Sequence, residues 1–249
     1  MKETKTKTVG LIGCGAIGTL IAQAIEKKIV NCDKLVLFDY QKNKAADLKA
    51  SIDFPTTIVK NLEEMLQLKP SVIIEAASQK AAKDYIKPIT TKNIHLIVMS
   101  TGALIDMKYQ SKKLHVPSGA IGGLDAISSA ALTQISEVIL TTKKNPKAFE
   151  MDNTQPKIIY EGNADNAAKL YPKSMNVAST LSFIVKPTKV LVQLISDPTT
   201  NRNTHEIKIK WQFGQMLLCF SNDPHPENPR TSALAAWSAI NLLKTLLEK

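Results

Sequence analysis

The sequence predicts an α/β protein of two domains, a parallel, doubly wound sheet followed by an α+β domain, and three observations carry that prediction. From Thr8 to about Val98, apolar runs alternate with amphipathic stretches, the pattern of strands joined by crossover helices. The first run ends in a glycine-rich turn, Gly13-Cys14-Gly15-Ala16-Ile17-Gly18. After Pro117 the alternation gives way to a Gly-rich loop, one helix and several longer strands. A chain of 249 residues is long enough to bury two cores. The expected division is residues 1–115 for the first domain and 116–228 for the second, with the terminal stretch 229–249 returning as a helix onto the first.

Taken in order, Val9-Gly10-Leu11-Ile12, Lys34-Leu35-Val36-Leu37-Phe38, Ser71-Val72-Ile73-Ile74 and His95-Leu96-Ile97-Val98 read as buried strands, because they are short and continuously apolar. Between them, Ile17, Leu20, Ile21, Ala24 and Ile25 share one helical face, and Leu62, Met65, Leu66 and Leu68 share another. In the second domain a helix is expected from about Leu124 to Gln134, with strands at Ser136 to Thr142 and Val190 to Ser196. The strand around His205 alternates, placing His205, Ile207, Ile209 and Trp211 on one face and Glu206, Lys208 and Lys210 on the other. A last helix is expected from roughly Thr231 to Leu247. There is no internal repeat and no low-complexity tract.

A G-x-G-x-x-G spacing alone is weak evidence, but this one follows a predicted strand, opens a helix, and precedes Asp39 at the end of the second strand by about 20 residues. That context identifies a Rossmann dinucleotide-binding domain. Gly13 permits the turn, Gly15 lets the main chain approach a pyrophosphate, and Gly18 allows close helix packing, while Ala16 and Ile17 begin the helix whose amides face the phosphates. Asp39 is expected to accept from the adenosine ribose hydroxyls, which favours NAD; Lys42 nearby leaves room for NADP. Ala76, Ala77 and Ser78, after Glu75 at the carboxyl end of a strand, leave space for the dinucleotide. The loop Val116-Pro117-Ser118-Gly119-Ala120-Ile121-Gly122-Gly123 lies where a hinge or a nicotinamide contact is expected; a plain linker is the alternative.

His205 opens a strand on its apolar face, just after the polar run Asp197-Pro198-Thr199-Thr200-Asn201-Arg202-Asn203. An imidazole there suits proton transfer, although a hydrogen-bonded core histidine fits the same pattern. His95, His115 and His225 lack such neighbourhoods, and the four histidines form no metal motif. Only Arg202 and Arg230 depart from a chain that otherwise uses lysine for positive charge, so both are candidates for forked recognition of a carboxylate.

Composition excludes several classes. Hydrophobic residues make up 44% and charged residues 22%, as in ordinary globular proteins. The net charge of +10 is spread over scattered lysines and aromatics are only 5%, so no nucleic-acid partner is expected. Lys2, Lys5 and Lys7 before the uncharged run Val9 to Ile25 imitate a signal peptide, but the glycine spacing and the acidic-ended strand that follows argue for a βα unit instead. Cys14, Cys32 and Cys219 have no metal-ligand spacing and leave an odd thiol, which argues against a disulfide framework and points to a reducing, cytoplasmic compartment; no membrane partner is expected.

The block from Val116 to Ala126 resembles the L-aspartate dehydrogenases of archaea and some bacteria. The same resemblance holds for Gly13 to Gly18, Glu75 to Ser78, Met175-Asn176-Val177-Ala178-Ser179-Thr180-Leu181, Asp197-Pro198 through Asn203-Thr204-His205-Glu206-Ile207, and Asn228-Pro229-Arg230-Thr231-Ser232. It implies that His205 is the active-site histidine and that Ala120 and Asn176 bind the nicotinamide cofactor. It further implies oxidation of L-aspartate to iminoaspartate, then oxaloacetate and ammonia, or supply of iminoaspartate to NAD biosynthesis, by a homodimer. Arg230, Arg202, Asn176 and Ser232 are then the candidates to hold the substrate. A dihydrodipicolinate-reductase-like protein is similar in fold, with the glyceraldehyde-phosphate-dehydrogenase type of second domain, but its paired-histidine motif is missing and no cysteine suits the glyceraldehyde-phosphate mechanism. A non-catalytic NAD-binding regulator is the reading of a different class.

Overall fold

The computed structural model describes residues 6–105, 107–172, 174–225 and 228–248. The chain divides into two compact units, one holding residues up to Ala103, Met107–Pro117 and the stretch from Ala236 on, the other Leu104–Asp106 and Ser118–Ala235.

The first unit runs β1 (Thr8–Ile12), α1 (Ala16–Glu26), β2 (Lys34–Phe38), α2 (Lys42–Ala50), β3 (Thr56–Ile58), α3 (Leu62–Gln67), β4 (Val72–Glu75), α4 (Gln79–Thr90), β5 (His95–Val98) and β6 (Leu114–His115). All six strands are parallel, in the order β3-β2-β1-β4-β5-β6. Successive residues of the central strands, such as Leu35, Val36 and Leu37 or Leu96, Ile97 and Val98, are all fully buried. Both faces of the sheet are therefore covered, which is why these strands read as unbroken apolar runs. The two strands that the sequence did not suggest, β3 and β6, are short edge strands, and Thr56, Thr57, Leu114 and His115 are only half-buried.

The chain winds outward in one direction from β1 and in the other from β4, so the loops after these two neighbours diverge and open a crevice at the carboxyl edge. Here Glu75, the last residue of β4, is fully buried. Its Oε1 accepts from the main-chain N–H of Ala77 (2.8 Å) and Ser78 (2.9 Å) and from Ser100 Oγ (2.9 Å), and its Oε2 accepts from the Ser100 N–H (3.1 Å). Burial pushes the carboxyl above the usual range and the four donors pull it back. One side chain thus fixes the loops after β4 and β5.

The second unit runs α5 (Leu124–Ala130), β7 (Ile135–Lys144), β8 (Lys157–Asn163), α6 (Ala164–Leu170), α7 (Asn176–Ile184), β9 (Leu191–Ser196), β10 (Asn203–Trp211), β11 (Gly214–Asn222), β12 (Pro224–His225), β13 (Asn228–Ser232) and the start of α8 (Ala233–Leu247). Its main sheet has the order β11-β10-β7-β9-β8, antiparallel except for the β7–β9 pair. One face is the core: Val138, Leu140, Val192, Leu194, Ile207 and Ile209 meet Ala167, Ala168, Ala178 and Leu181 of α6 and α7. The opposite face leaves Ile158, Leu191 and Leu217 at least half exposed. α5 stops at Ala130 rather than reaching Gln134, because the strand begins directly at Ile135; α8 starts at Ala233 because Asn228–Ser232 is drawn into a strand.

Replacing Glu75 by Leu leaves three main-chain N–H groups and a hydroxyl without their acceptor. A loss of about 3 kcal/mol or more in urea unfolding is expected, at about 1–3 kcal/mol for each stranded buried donor with partial relaxation.

Candidate functional site

In the first unit the site begins at the turn after β1. Gly13 takes φ +97°, and a Cβ there would lie 2.6 Å from the Ala76 carbonyl oxygen, so the two loops of the crevice touch only because this residue is glycine. A Cβ on Gly18 would lie 2.1 Å from the Gly13 carbonyl oxygen, so α1 can rise this close to the turn only with hydrogen at that position. Gly15, the N-cap of α1, is different: a Cβ there would meet nothing within 4 Å, and no side chain caps the helix. Its first turn, with Ala16 and Ile17 half-buried, has no side-chain acceptor for its amide hydrogens. Together, uncapped amides, the positive end of a helix and a gap on the glycine side fit the phosphates of a dinucleotide.

Asp39 follows β2 and ties the turn down: Oδ2 accepts from the Cys14 N–H and Oδ1 from the Gln41 N–H, both at 2.8 Å. Each oxygen keeps a lone pair for a ribose hydroxyl. Burial, then the Asp39 charge, push the Cys14 thiol up to about 12, so it is a packing residue and not a thiolate. Across the crevice the Ala76 N–H is used by the Ile12 carbonyl at 2.8 Å, and those of Ala77 and Ser78 are used by Glu75. Ser78 Oγ caps α4 by accepting from the Ala81 N–H at 3.1 Å. These three residues therefore offer small size rather than main-chain donors, and the Ser78 hydroxyl, which accepts at the cap, keeps its own hydrogen to donate.

In the second unit a layer of buried polar groups occupies one end of the core face: Thr142 and Lys144 of β7, Ser196 of β9, Asn203 and His205 of β10, and Ser232 of β13. Alternation places them there. The inward positions Val138, Leu140, Thr142 and Lys144 turn from apolar to polar along β7, as Ile209, Ile207, His205 and Asn203 do in the antiparallel direction along β10. His205 pairs with Thr142, whose Oγ1 lies 3.0 Å from His205 Nδ1. Asn203 Nδ2 donates to Ser232 Oγ (3.3 Å) and to the Pro229 carbonyl (3.2 Å), and Lys144 Nζ donates to the Arg230 carbonyl (2.7 Å).

Desolvation, reinforced by the Lys144 charge, lowers the His205 pKa to about 3, and the imidazole is neutral. Desolvation, reinforced by Arg230, lowers that of Lys144 to about 8. If Nδ1–H is donated to Thr142, Nε2 carries the available lone pair, and no described residue bonds to it.

The remaining sequence candidates fall into place unevenly. The Ala120 carbonyl accepts from Asn222 Nδ2 at 2.9 Å, and Asn222 pairs with Asn203, so the loop is fastened to the same end of β10 and β11 as the polar layer. Gly122 and Gly123 of that loop pack on Phe220 and Leu218. Asn176 is the first residue of α7. The main chain of Arg230 joins the layer, but its guanidinium turns to the Ala148 carbonyl (3.2 Å) and to the Glu150 carboxylate. Arg202 points outward in an exposed pair with Asp223 at 2.9 Å. Sequence reasoning missed Lys144, Thr142 and Asn203. The available signal was a lysine at an inward position of β7, where alternation calls for a core residue.

Two family models match the chain: "Homoserine dehydrogenase, NAD binding domain" over residues 13–116 and "Aspartate dehydrogenase, C-terminal" over residues 125–246. The L-aspartate dehydrogenase of Methanosarcina barkeri is 36% identical, with 96% of each chain covered, and that of Archaeoglobus fulgidus is 39% identical, with 96% of this chain and 98% of the relative covered. The crystal structure of aspartate dehydrogenase from Thermotoga maritima superposes with a TM-score of 0.77 at 28% identity, covering 96% of both chains. A dihydrodipicolinate reductase at 12% identity and a TM-score of 0.50 shares the fold alone.

Two tests follow from this geometry. Gly18→Ala forces a backbone clash and is expected to cost about 2 kcal/mol in unfolding and to weaken binding of reduced cofactor, whereas Gly15→Ala leaves stability within about 0.5 kcal/mol and weakens cofactor binding alone. For His205, the folded pKa lies below the unfolded one, so its contribution to stability is lost as pH falls from about 6.5 toward 3. The imidazole Cε1–H resonance in the free protein should accordingly stay at its neutral position between about pH 5 and 8; a titration centred near the ordinary histidine value would contradict the burial account.

Proposed function

The chain belongs to the L-aspartate dehydrogenase family, and on that premise we propose how its residues serve the oxidative deamination of L-aspartate to iminoaspartate, which water converts to oxaloacetate and ammonia. It is an oxidoreductase whose N-terminal domain is of the NAD-binding type. The observation that carries the assignment of roles is the neutral, buried His205, with Nε2 uncommitted, in the stretch matched to the aspartate dehydrogenase C-terminal domain.

A pyridine nucleotide, when bound, supplies the acceptor for the hydride that leaves C2 of aspartate. The chain's residues do the rest. Gly13, Gly15, Gly18 and the amides of Ala16 and Ile17 hold the phosphates, and Ala76, Ala77 and Ser78 keep the crevice wide. Ala120 and Asn176 are assigned to the nicotinamide end of the cofactor. His205 takes the proton of the substrate amine, and later orients the water that adds to the imine carbon, with Thr142 fixing the tautomer. Ser232 and Asn176 remain candidates for polar contact with substrate; Arg202 and Arg230 would first have to leave Asp223 and Glu150.

The negative charge of Asp39 at the ribose position favours NAD over NADP, with Lys42 and Lys44 close in sequence as the counterweight. A homodimer would cover the open face of the second sheet, where Ile158 (52%), Leu191 (51%) and Leu217 (70%) are exposed. Iminoaspartate made in this way would feed NAD biosynthesis. The three free thiols suit a cytoplasmic setting. Among the described residues no helix is long and apolar enough to cross a membrane.

Purified protein mixed with NAD or NADP and L-aspartate should reduce the nicotinamide, with D-aspartate, L-glutamate and L-alanine as poor substrates. His205→Ala should lose roughly 100-fold or more in turnover while binding reduced cofactor as wild type does. A folded wild-type protein without aspartate-dependent reduction would favour the regulator reading.

A further inference from the structure

Among the described residues, Lys144 is a buried cation without an anion. It is the last residue of β7, only 3% exposed, on the inward row that runs Val138, Leu140, Thr142, Lys144. Its ammonium has three hydrogens, and the hydrogen bond that it makes is to a neutral acceptor, the Arg230 carbonyl at 2.7 Å. Among the described residues no carboxylate forms an ion pair with it. Glu150 is taken by the Arg230 guanidinium and Asp223 by Arg202.

An uncompensated charge under protein is strongly unfavourable, and folded chains meet it with a counter-charge or replace it with an apolar residue. At Lys144 neither is found among the described residues. The charge also acts on the groups around it. Desolvation, and after it the Lys144 charge, lower the basicity of His205, so in the protein alone the imidazole is a weak proton acceptor. The neighbours on this face are hydrogen-bonding and neutral: Thr142 two residues back on the same strand, Ser196 paired with Lys144 across β9, and Asn203 two residues before His205 on β10. A carboxylate entering this layer finds a desolvated ammonium with spare hydrogens beside the imidazole, while the Arg230 guanidinium is turned to Ala148 and Glu150.

We propose that Lys144 holds a carboxylate of the substrate beside His205. The proposal rests on the reading of this chain as an enzyme of L-aspartate, and it adds a consequence to that reading. A carboxylate bound at Lys144 offsets the charge that adds to the effect of burial on His205, so the imidazole gains some basicity when substrate is present. Binding and proton transfer are then coupled through one lysine, and a ligand without a carboxylate at that place would leave the Lys144 charge acting on His205.

The test uses full-length protein loaded with cofactor, with two probes, L-aspartate and succinate, and two variants. Lys144→Gln keeps a donor for the Arg230 carbonyl, and Lys144→Met removes charge and donor together. By calorimetry both variants should bind succinate and L-aspartate roughly 10- to 100-fold more weakly than wild type, with affinity for reduced cofactor within about twofold. Lys144→Met should melt no lower than wild type, since it removes a buried, unmatched charge; a purely structural lysine would lower the melting temperature and leave dicarboxylate affinity alone.

Succinate has no group that titrates above neutrality, so its pH profile reports the protein. The charged and titratable groups facing Lys144 are His205 from β10, neutral in this range, and Arg230 from β13, always charged. The lysine is charged below its pKa of about 8, so the wild-type succinate dissociation constant should rise up to tenfold per pH unit above that value. The Lys144→Gln profile should be flat.

Folded Lys144→Gln that binds either dicarboxylate as wild type does would overturn the proposal. Wild type that binds neither probe would overturn it together with the aspartate reading. Lys144-dependent binding without turnover of L-aspartate would leave the lysine's role standing and remove the reading of the reaction.

Discussion

A charge taken out of water has to be met by something, and the two units of this chain meet that demand in opposite ways. In the first, the buried Glu75 carboxylate is answered from within by two loop amides, a third amide and a hydroxyl. That set of bonds is what gives the loops after β4 and β5 one conformation. In the second, the buried Lys144 ammonium is answered by one carbonyl. The Glu75 arrangement is complete in the protein alone, whereas the Lys144 ammonium keeps hydrogens beyond the one given to the Arg230 carbonyl. The contrast separates a scaffold from a site: fully satisfied buried polar groups fix a conformation, and an incompletely satisfied one is the natural place for a ligand to add what is missing.

The turn after β1 works by steric exclusion rather than charge. Gly13 and Gly18 are glycine because main-chain oxygens lie 2.6 Å and 2.1 Å from where a Cβ would be. Gly15 has no such neighbour, so within the protein its identity serves no packing need. What the first two allow is the close stacking of α1 on the crevice loops. What the third allows is approach from outside. Asp39 fastens this turn to the end of β2, since its two oxygens hold the Cys14 and Gln41 amides in place.

Much of this was legible in the sequence. The continuous apolar runs of β1, β2, β4 and β5 identify a parallel sheet covered on both faces, and the glycine spacing with Asp39 identifies the crevice. The alternation around His205 places that residue on the inner face of β10, where it is buried. Other features were not legible for physical reasons. β3 and β6 are short, half-buried edge strands with little hydrophobic pattern. In β11 every second residue is only partly covered, so its inward row of Met216, Leu218, Phe220 and Asn222 carries a weak signal. The two arginines drew attention by their rarity, yet their guanidinium groups are engaged by Glu150 and Asp223, partners 80 and 21 residues away in the chain.

The sequence by itself determined the Rossmann class, the dinucleotide turn and the family, because these depend on short-range spacing and on residue types that few other arrangements require. Only the tertiary structure decided which polar groups share a desolvated layer. Thr142, Lys144, Ser196, Asn203, His205 and Ser232 come from four strands spread over 91 residues, and nothing local in any one of them announces the others. The environment that makes His205 neutral and leaves Lys144 short of a partner exists only once β7, β9, β10 and β13 are brought together, since desolvation and electrostatic coupling depend on distance in space rather than distance along the chain.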